Sequence, residues 1–186
     1  MRKSLTAIAH ELIRDRLQAG DMAVDATVGN GHDCCFLARQ VAPGGRVLGL
    51  DIQESAIRVA RTRLEGAGLM DSVDLLQCGH EALDQVLPAG MRQGLAVVMF
   101  NLGYLPGGRH DIVTRPETTL KALQASLAHL REDGLISLMI YRGHPGGGDE
   151  YQAILDWLRR EDIGHRFPVP GADKPHAPRL LHLFRQ

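Results

Sequence analysis

The chain has 186 residues, of which 44% are hydrophobic and 23% are charged, and its formal net charge is −1. This composition predicts one globular domain over residues 1–186, and the balanced charge excludes a basic nucleic-acid-binding module, so any RNA contact needs a local patch. Three cysteines without a C-x-x-C pair, and no apolar run near the roughly 20 residues of a membrane helix, predict a cytoplasmic protein without bound metal, disulfide framework or membrane contact.

Apolar runs alternate with helical patterns along the chain. The predicted helices cover residues 4–17, 32–41, 54–66, 81–87 and 116–131, and a last one ends near residue 160. The predicted strands cover residues 22–26, 46–51, 73–77, 95–100, 135–141, 167–169 and 180–184. Such alternation predicts an α/β, Rossmann-like fold with a mostly parallel seven-stranded sheet and helices on both faces. Because the last two strands have no helix between them, we expect an antiparallel C-terminal strand, as in class I methyltransferases.

A glycine-rich turn follows the first predicted strand, at residues 25–33. In α/β sheets a turn of this kind binds an adenosine-containing cofactor at the carboxyl ends of the strands. Gly29 and Gly31 are expected to line that site. The dinucleotide fingerprint needs a third small residue, where this chain has Cys34, and Asp33 would repel a pyrophosphate. The turn therefore favours S-adenosylmethionine over a nicotinamide cofactor, although a plain tight turn stays open as an alternative.

Polar residues also follow the second and third predicted strands. Asp51 ends the second strand about twenty residues beyond the glycines, where an acid accepts hydrogen bonds from ribose hydroxyls. A second role for Asp51 is to cap the helix that starts near Gln53. Gly79 and His80 follow the third strand, where methyltransferases place a polar group against the adenine amine. These positions complete the predicted cofactor site.

The fourth predicted strand runs into Asn-Leu-Gly-Tyr at residues 101–104, a variant of the Asn/Asp-Pro-Pro-Tyr/Phe motif of methyltransferases that act on exocyclic amines. Methyl transfer needs a neutral amine whose lone pair points at the methyl carbon. The Asn101 side-chain oxygen and the Leu102 carbonyl can orient that amine, and Tyr104 can stack on a base. A simple turn is the alternative, because asparagine, glycine and proline are all turn formers.

Further polar residues are expected around the same mouth. Tyr141 and His144 follow the fifth predicted strand and are candidates to face the substrate, and Thr118 and Thr119 lie near a helix start. The arginines and the histidine that could form a phosphate-binding rim are Arg109, His110, Arg115, Arg142 and Arg179.

The motifs at residues 25–33, 49–53, 101–108 and 141–145, with Glu150, together resemble a family of small bacterial methyltransferases over nearly the whole chain. Members were first described as rRNA methylases and then recognised as tRNA 5-aminomethyluridine methyltransferases. The resemblance implies methylation of the aminomethyl group at C5 of the wobble uridine, in the anticodon region of tRNA, with S-adenosylmethionine as donor. It places Asn30, Asp33, Asp51, Gln53, Gly79 and His80 at the cofactor, and Asn101, Tyr104 and residues 141–144 at the substrate. A homodimer is left open.

Other functions remain compatible with the sequence. A methyltransferase acting on rRNA or on a small-molecule amine would use the same motifs, and the near-neutral charge favours the small molecule. A nicotinamide-dependent oxidoreductase and a non-catalytic cofactor-binding protein are the alternatives from other classes.

Overall fold

A computed structural model of the chain describes residues 3–105, 107, 111–170 and 176–185. The helices in these residues are α1 Leu5–Arg14, α2 His32–Val41, α3 Glu54–Gly66, α4 Leu83–Val86, α5 Pro116–His129 and α6 Gly147–Arg160. The strands are β1 Met22–Asp25, β2 Arg46–Asp51, β3 Val73–Gln77, β4 Leu95–Leu102, β5 Leu130–Ile140, β6 His165–Arg166 and β7 Arg179–Phe184. No helix in this part of the chain is long and apolar enough to cross a membrane.

The seven strands form one sheet in the order β3-β2-β1-β4-β5-β7-β6. Strands β1 to β5 pair in parallel, and β7 runs antiparallel to both β5 and β6. The chain order reverses between β1 and β4, and a crevice forms outside the carboxyl ends of parallel strands at such a point. The expected fold class is therefore confirmed, and the sheet brings Asp25, Asp51 and Asn101 to one edge.

Helices cover both faces of the sheet, which explains the continuous burial of β4 from Leu95 to Phe100. Neighbouring strand residues point to opposite faces, so Val97 joins the cluster under α2 and α3 while Val98 joins the cluster under α5 and α6. Because both faces of β4 are buried under helices, its sequence from Leu95 to Phe100 is an unbroken apolar run.

Helix α1 packs on the part of the sheet that contains β5 and β7. Ser4 caps it by accepting a hydrogen bond from the Ala7 N–H at 3.1 Å, as the sequence predicts. Ala9 on its apolar face packs against Met139 of β5 and Leu180 of β7. This packing brings the N-terminal helix to the edge of the sheet where the parallel strands end.

The observed bounds agree with the predicted ones for α2, β2, α3 and β3, whereas other elements differ. Strand β4 continues to Leu102, so Asn101 lies in the strand and not in a turn. Strand β5 begins at Leu130, and the turn predicted at Asp133 and Gly134 lies in a register irregularity within that strand. Helices α1 and α5 end earlier than predicted.

The strand predicted at residues 167–169 is wrong by two positions. The paired residues are His165 and Arg166, which face Leu183 and His182 of β7. Pro168 lacks the N–H that a ladder hydrogen bond requires, and the pairing accordingly ends before it.

Candidate active site at the carboxyl edge of the sheet

Two cavities open at the carboxyl edge of the sheet. The first, of about 430 Å³, lies over β1, β2 and β3. The second, of about 610 Å³, lies over β4 and β5 and beside α1. Both are lined by Thr27, Gly29, Asn101 and Tyr104, which therefore form the wall between them.

Asp51 closes the turn over the first cavity. Its two carboxylate oxygens accept hydrogen bonds from backbone N–H groups, Oδ2 from Gly29 at 2.8 Å and Oδ1 from Gln53 at 2.9 Å. Burial raises the pKa of Asp51, and these two hydrogen bonds act in the opposite direction. Each oxygen keeps a second lone pair, so the carboxylate can still accept hydroxyl hydrogens from a ligand in the cavity.

The two glycines of the turn have different roles. Gly29 lines both cavities with φ at +50°, a left-handed conformation that favours glycine. Gly31 lines neither cavity, and a Cβ atom there would lie 2.8 Å from the Cα of Ala60. Gly31 thus allows α2 to approach α3, which is a different reason for glycine from the predicted contact with a cofactor.

Gln53, Gly79 and His80 line the first cavity, as the sequence analysis expects. The His80 ring is buried, donates to the Ala26 carbonyl and lies edge-on to Phe100. Burial lowers the pKa of His80, so the ring is neutral at pH 7. Its polar groups are thus engaged largely with the protein. Sequence reasoning did not select Ile52, whose side chain lines the same cavity and is 60% exposed. Its position directly after the strand-end acid was the available signal.

The wall between the cavities is held by a chain of hydrogen bonds. Asp33 Oδ2 accepts a hydrogen bond from the Asn101 side-chain amide at 2.7 Å, and Oδ1 accepts one from His10 Nε2 at 2.6 Å. The backbone N–H of Asn101 donates to the Thr27 hydroxyl at 2.7 Å. Burial raises the pKa of Asp33, but the hydrogen bonds from His10 and Asn101 together leave it lowered, so the carboxylate is charged.

This arrangement determines which way the Asn101 amide points. A charged carboxylate only accepts hydrogen bonds, so it must face the amide NH₂, and the amide oxygen points away from Asp33. The oxygen can therefore accept hydrogens from a bound group. The Leu102 carbonyl, the other predicted acceptor, receives the Tyr141 N–H at 3.0 Å, and its second lone pair can still accept a hydrogen.

Asn30 and Asp33 line the second cavity, although both were predicted as cofactor ligands. Asp33 turns there because its two partners, His10 on α1 and Asn101 on β4, lie on that side. His10 was missed by sequence reasoning. It lies 23 residues before its partner and stacks on Phe36 with ring centroids 3.9 Å apart, which no local pattern reveals.

Aromatic side chains surround the second cavity. Tyr104 and Tyr141 are 42% and 41% exposed, and the Tyr141 hydroxyl shares a hydrogen bond with Thr6 of α1. His144 is buried with its ring edge-on to Tyr104 at 6.1 Å between centroids, and its Nδ1 lies 3.0 Å from the Pro145 carbonyl. The structure thus brings together the substrate-side residues Asn101, Tyr104, Tyr141 and His144.

The three members of the predicted rim that the structure describes, Arg115, Arg142 and Arg179, do not line the second cavity. Arg115 lines the first cavity. Arg142 donates to the Ala177 carbonyl and lies over the Tyr151 ring, and Arg179 lies over Phe167. Arg109 and His110 lie outside the described residues.

Two further carboxyl groups near the cavities, those of Asp25 and Glu150, are buried. Asp25 is fully buried at the end of β1, and burial, together with the nearby charge of Asp33, raises its pKa well above the usual range. Glu150 is 1% exposed in the first turn of α6 and accepts hydrogen bonds from the hydroxyls of Thr119 at 2.6 Å and Thr114 at 2.7 Å. Thr114 lines the first cavity, so Glu150 fixes part of its wall.

The strand order with a reversed β7, and the glycine turn whose N–H groups meet the acid at the end of β2, define a class I methyltransferase that depends on S-adenosylmethionine. The family described as "Putative rRNA methylase" matches residues 47–165, and the chain belongs to this family.

Proteins of similar sequence and structure are also described as methyltransferases. Over its full length the chain is 35% identical to a chloroplastic tRNA (mnm(5)s(2)U34)-methyltransferase of Arabidopsis thaliana and covers 70% of that protein. The crystal structure of a putative rRNA methylase from Clostridium thermocellum is 36% identical and superposes with a TM-score of 0.89, with 100% of both chains covered. A putative methyltransferase from Streptococcus mutans, solved in complex with S-adenosylhomocysteine, is 28% identical with a TM-score of 0.86, and again both chains are fully covered.

Proposed function

We propose that this protein transfers a methyl group from S-adenosylmethionine to the aminomethyl group at C5 of the wobble uridine of tRNA. The observation that carries the proposal is the Asn101 amide, which lies in the wall between two cavities and is oriented by Asp33. The similarity to the Arabidopsis enzyme, whose name specifies position 34 of tRNA, supports this choice of substrate.

The first cavity fits the donor. Asp51 and Gln53 offer polar groups to the ribose, and the exposed side chain of Ile52 offers an apolar surface to the adenine. Gly29 leaves room for close approach to the backbone of the turn. When bound, S-adenosylmethionine supplies an electrophilic methyl group on a sulfonium centre.

The second cavity fits a nucleoside that carries an amine. The Asn101 amide oxygen accepts a hydrogen of the neutral amine, which directs the nitrogen lone pair across the wall into the first cavity. A nitrogen–carbon bond forms as the carbon–sulfur bond breaks, S-adenosylhomocysteine leaves, and the methylated ammonium group passes its extra proton to water. Because an amide is a poor base, Asn101 acts by orienting the amine and does not take this proton.

Tyr104 and Tyr141 provide ring faces for the base. Both rings are partly exposed on the second cavity, and base stacking on an aromatic side chain contributes roughly 1–3 kcal/mol in single-strand binding. Recognition of an unstacked base in a single-stranded loop is typical of sequence-specific RNA binding. An anticodon loop presents such bases.

Nucleoside mass spectrometry tests the proposal. The protein and S-adenosylmethionine are incubated with tRNA from a strain that lacks this gene, and the nucleosides are then analysed. We expect a gain of one CH₂ unit on 5-aminomethyluridine or its 2-thio form. No gain on a tRNA that carries the precursor, from a protein that binds S-adenosylhomocysteine, would overturn the tRNA proposal.

A second candidate is methylation of rRNA or of a small amine. The family description names rRNA, and the near-neutral net charge favours a small molecule. The same assay separates these candidates when rRNA and simple primary amines replace tRNA. A cytoplasmic location and pairing into a homodimer stay predictions.

A further inference from the structure

A basic cleft lies between α2 and α3, next to the second cavity. It measures about 340 Å³ and is lined by His32, Cys35, Arg39, Arg63, Gly66 and Ala67. None of these six residues is acidic. We propose that this cleft binds a backbone phosphate of the RNA substrate, next to the nucleotide that enters the second cavity. The proposal rests on the proposed function for the identity of the anion.

The first argument is charge. Arg39, Arg63 and His32 are exposed, and Arg39 forms no hydrogen bond or ion pair within the described chain. The whole protein carries a net charge of −1, so two arginines and a histidine without a lining carboxylate are a local exception. Guanidinium groups match the geometry of phosphate oxygens and bind them with two parallel hydrogen bonds.

The second argument is preorganisation. Arg63 Nε donates to the Asn30 carbonyl at 2.7 Å, which holds the side chain across the cleft and leaves the terminal nitrogens of the guanidinium as donors. The carbonyls of Arg63 and Leu64 at the end of α3 accept the N–H of Ala67, and that of Glu65 accepts the N–H of Gly68. The cleft thus lies beside the C-terminal end of α3, which favours cations, so attraction of an anion depends on Arg39 and Arg63.

The third argument is continuity with the substrate site. His32 lines both the cleft and the second cavity. A strand whose base lies between Tyr104 and Tyr141 can leave past His32 with its backbone in the cleft. An aromatic platform next to a positively charged groove is how proteins hold single-stranded nucleic acid.

Binding of a fluorescently labelled anticodon stem-loop RNA, measured by anisotropy over a series of salt concentrations, tests the cleft. Arg39→Gln removes the arginine that forms no hydrogen bond or ion pair with the described residues. Arg61→Gln is the matched control, because Arg61 is exposed on α3 but does not line the cleft. We expect Arg39→Gln to weaken binding roughly fivefold at low salt and to lower the salt slope by roughly 0.7 to 1. Arg61→Gln should leave both quantities at their wild-type values.

The outcomes separate this proposal from the proposed function. Equal RNA affinities and salt slopes for Arg39→Gln and Arg61→Gln would overturn the proposal that the cleft binds a phosphate, even if wild-type protein methylates the wobble uridine. A loss of RNA affinity in Arg39→Gln alone would support phosphate binding in the cleft, even if mass spectrometry finds another methylated nucleoside. Affinity for S-adenosylhomocysteine should be unchanged in both variants, and a loss in Arg39→Gln alone would assign Arg39 to the cofactor site instead.

Discussion

The two cavities are built in different ways. The first is lined by residues that follow β1, β2 and β3 and by residues of the segment from Asn101 to Thr118, and its central hydrogen bonds join Asp51 to groups 2 and 22 positions away. The second draws on α1, β4, the turn between β1 and α2 and the segment between β5 and α6, and its central hydrogen bond joins Asn101 to Asp33 across 68 positions. Hydrogen bonds between consecutive βα units thus hold the first cavity, whereas a hydrogen bond between β4 and α2 holds the second.

This difference predicts that the two sides can be damaged separately. Substitutions at the first cavity should change cofactor affinity, and substitutions at the second should change turnover while cofactor affinity stays the same.

Asp51→Ala should have the largest effect. It removes the expected ribose acceptor and also the partner of the Gly29 and Gln53 N–H groups, so affinity for S-adenosylhomocysteine should fall at least about 100-fold. Isothermal titration calorimetry measures this loss. Asp51→Asn keeps one acceptor oxygen, so its affinity for S-adenosylhomocysteine should lie between those of wild type and Asp51→Ala. Unchanged affinity in the alanine variant would remove Asp51 from the cofactor site.

Asn101→Ala should lower kcat about 100-fold and leave affinity for S-adenosylhomocysteine within about twofold of wild type. The reason is that the amine loses its orienting acceptor, while the contacts of the first cavity remain. Steady-state methyl transfer to tRNA and calorimetry on the same preparation check both parts. A variant with wild-type turnover would contradict the role assigned to the amide.

Acid should destabilise the half of the sheet that carries the second cavity. Burial, with Arg166 and Arg16 nearby, lowers the pKa of His182 on β7 from 6.5 to about 4. Between these values the unfolded chain binds the proton and the folded chain does not, so this contribution to stability is lost as the pH falls from 6.5 toward 4. The loss should be about 2 kcal/mol between pH 7 and pH 5.

Urea unfolding at the two pH values measures this effect. His182→Leu replaces a buried ring whose nitrogens have no hydrogen-bond partner among the described residues, so the variant should lose less stability on acidification than wild type does. Equal losses would show that other groups cause the acid sensitivity.

His10→Ala should have the smallest effect, a fall in kcat of about tenfold or less with KM unchanged. His10 does not line either cavity and acts through Asp33, so it is a positioning residue. His10→Gln retains an N–H donor on a side chain of similar reach and should restore most of the activity. If cofactor affinity falls instead of kcat, α1 supports the first cavity and the comparison of the two sides is wrong.

Much of the fold follows from local patterns. Helices α2 and α3 and strands β2 and β3 have the predicted bounds because each is marked by its own apolar period, and glycine or proline also lies at or near an end of α2, β2 and α3. The predicted bounds are wrong where pairing with a residue distant in the sequence sets the end of an element. Strand β5 extends back to Leu130 because β4 pairs with it, and the pairing passes over the turn expected at Gly134.

The candidate site shows the same division. Asp51 and Asn101 can be selected as candidate site residues from the sequence alone, because each lies at or next to the end of a strand and carries the chemistry proposed for the site. Other features have no local signal. A side chain at position 31 would collide with Ala60, and Asp33 is oriented by its hydrogen bonds to His10 and Asn101.

The sequence by itself thus determined the α/β architecture, the strand-end turn that suits S-adenosylmethionine and the motif that suits an amine. These features depend on backbone preferences and on residues a few positions apart. Only the tertiary structure decided the orientation of the Asn101 amide, the division into two cavities and the basic cleft between α2 and α3. Each of these depends on groups that are distant in the sequence, and the packing of helices on the sheet is what brings such groups within hydrogen-bonding distance.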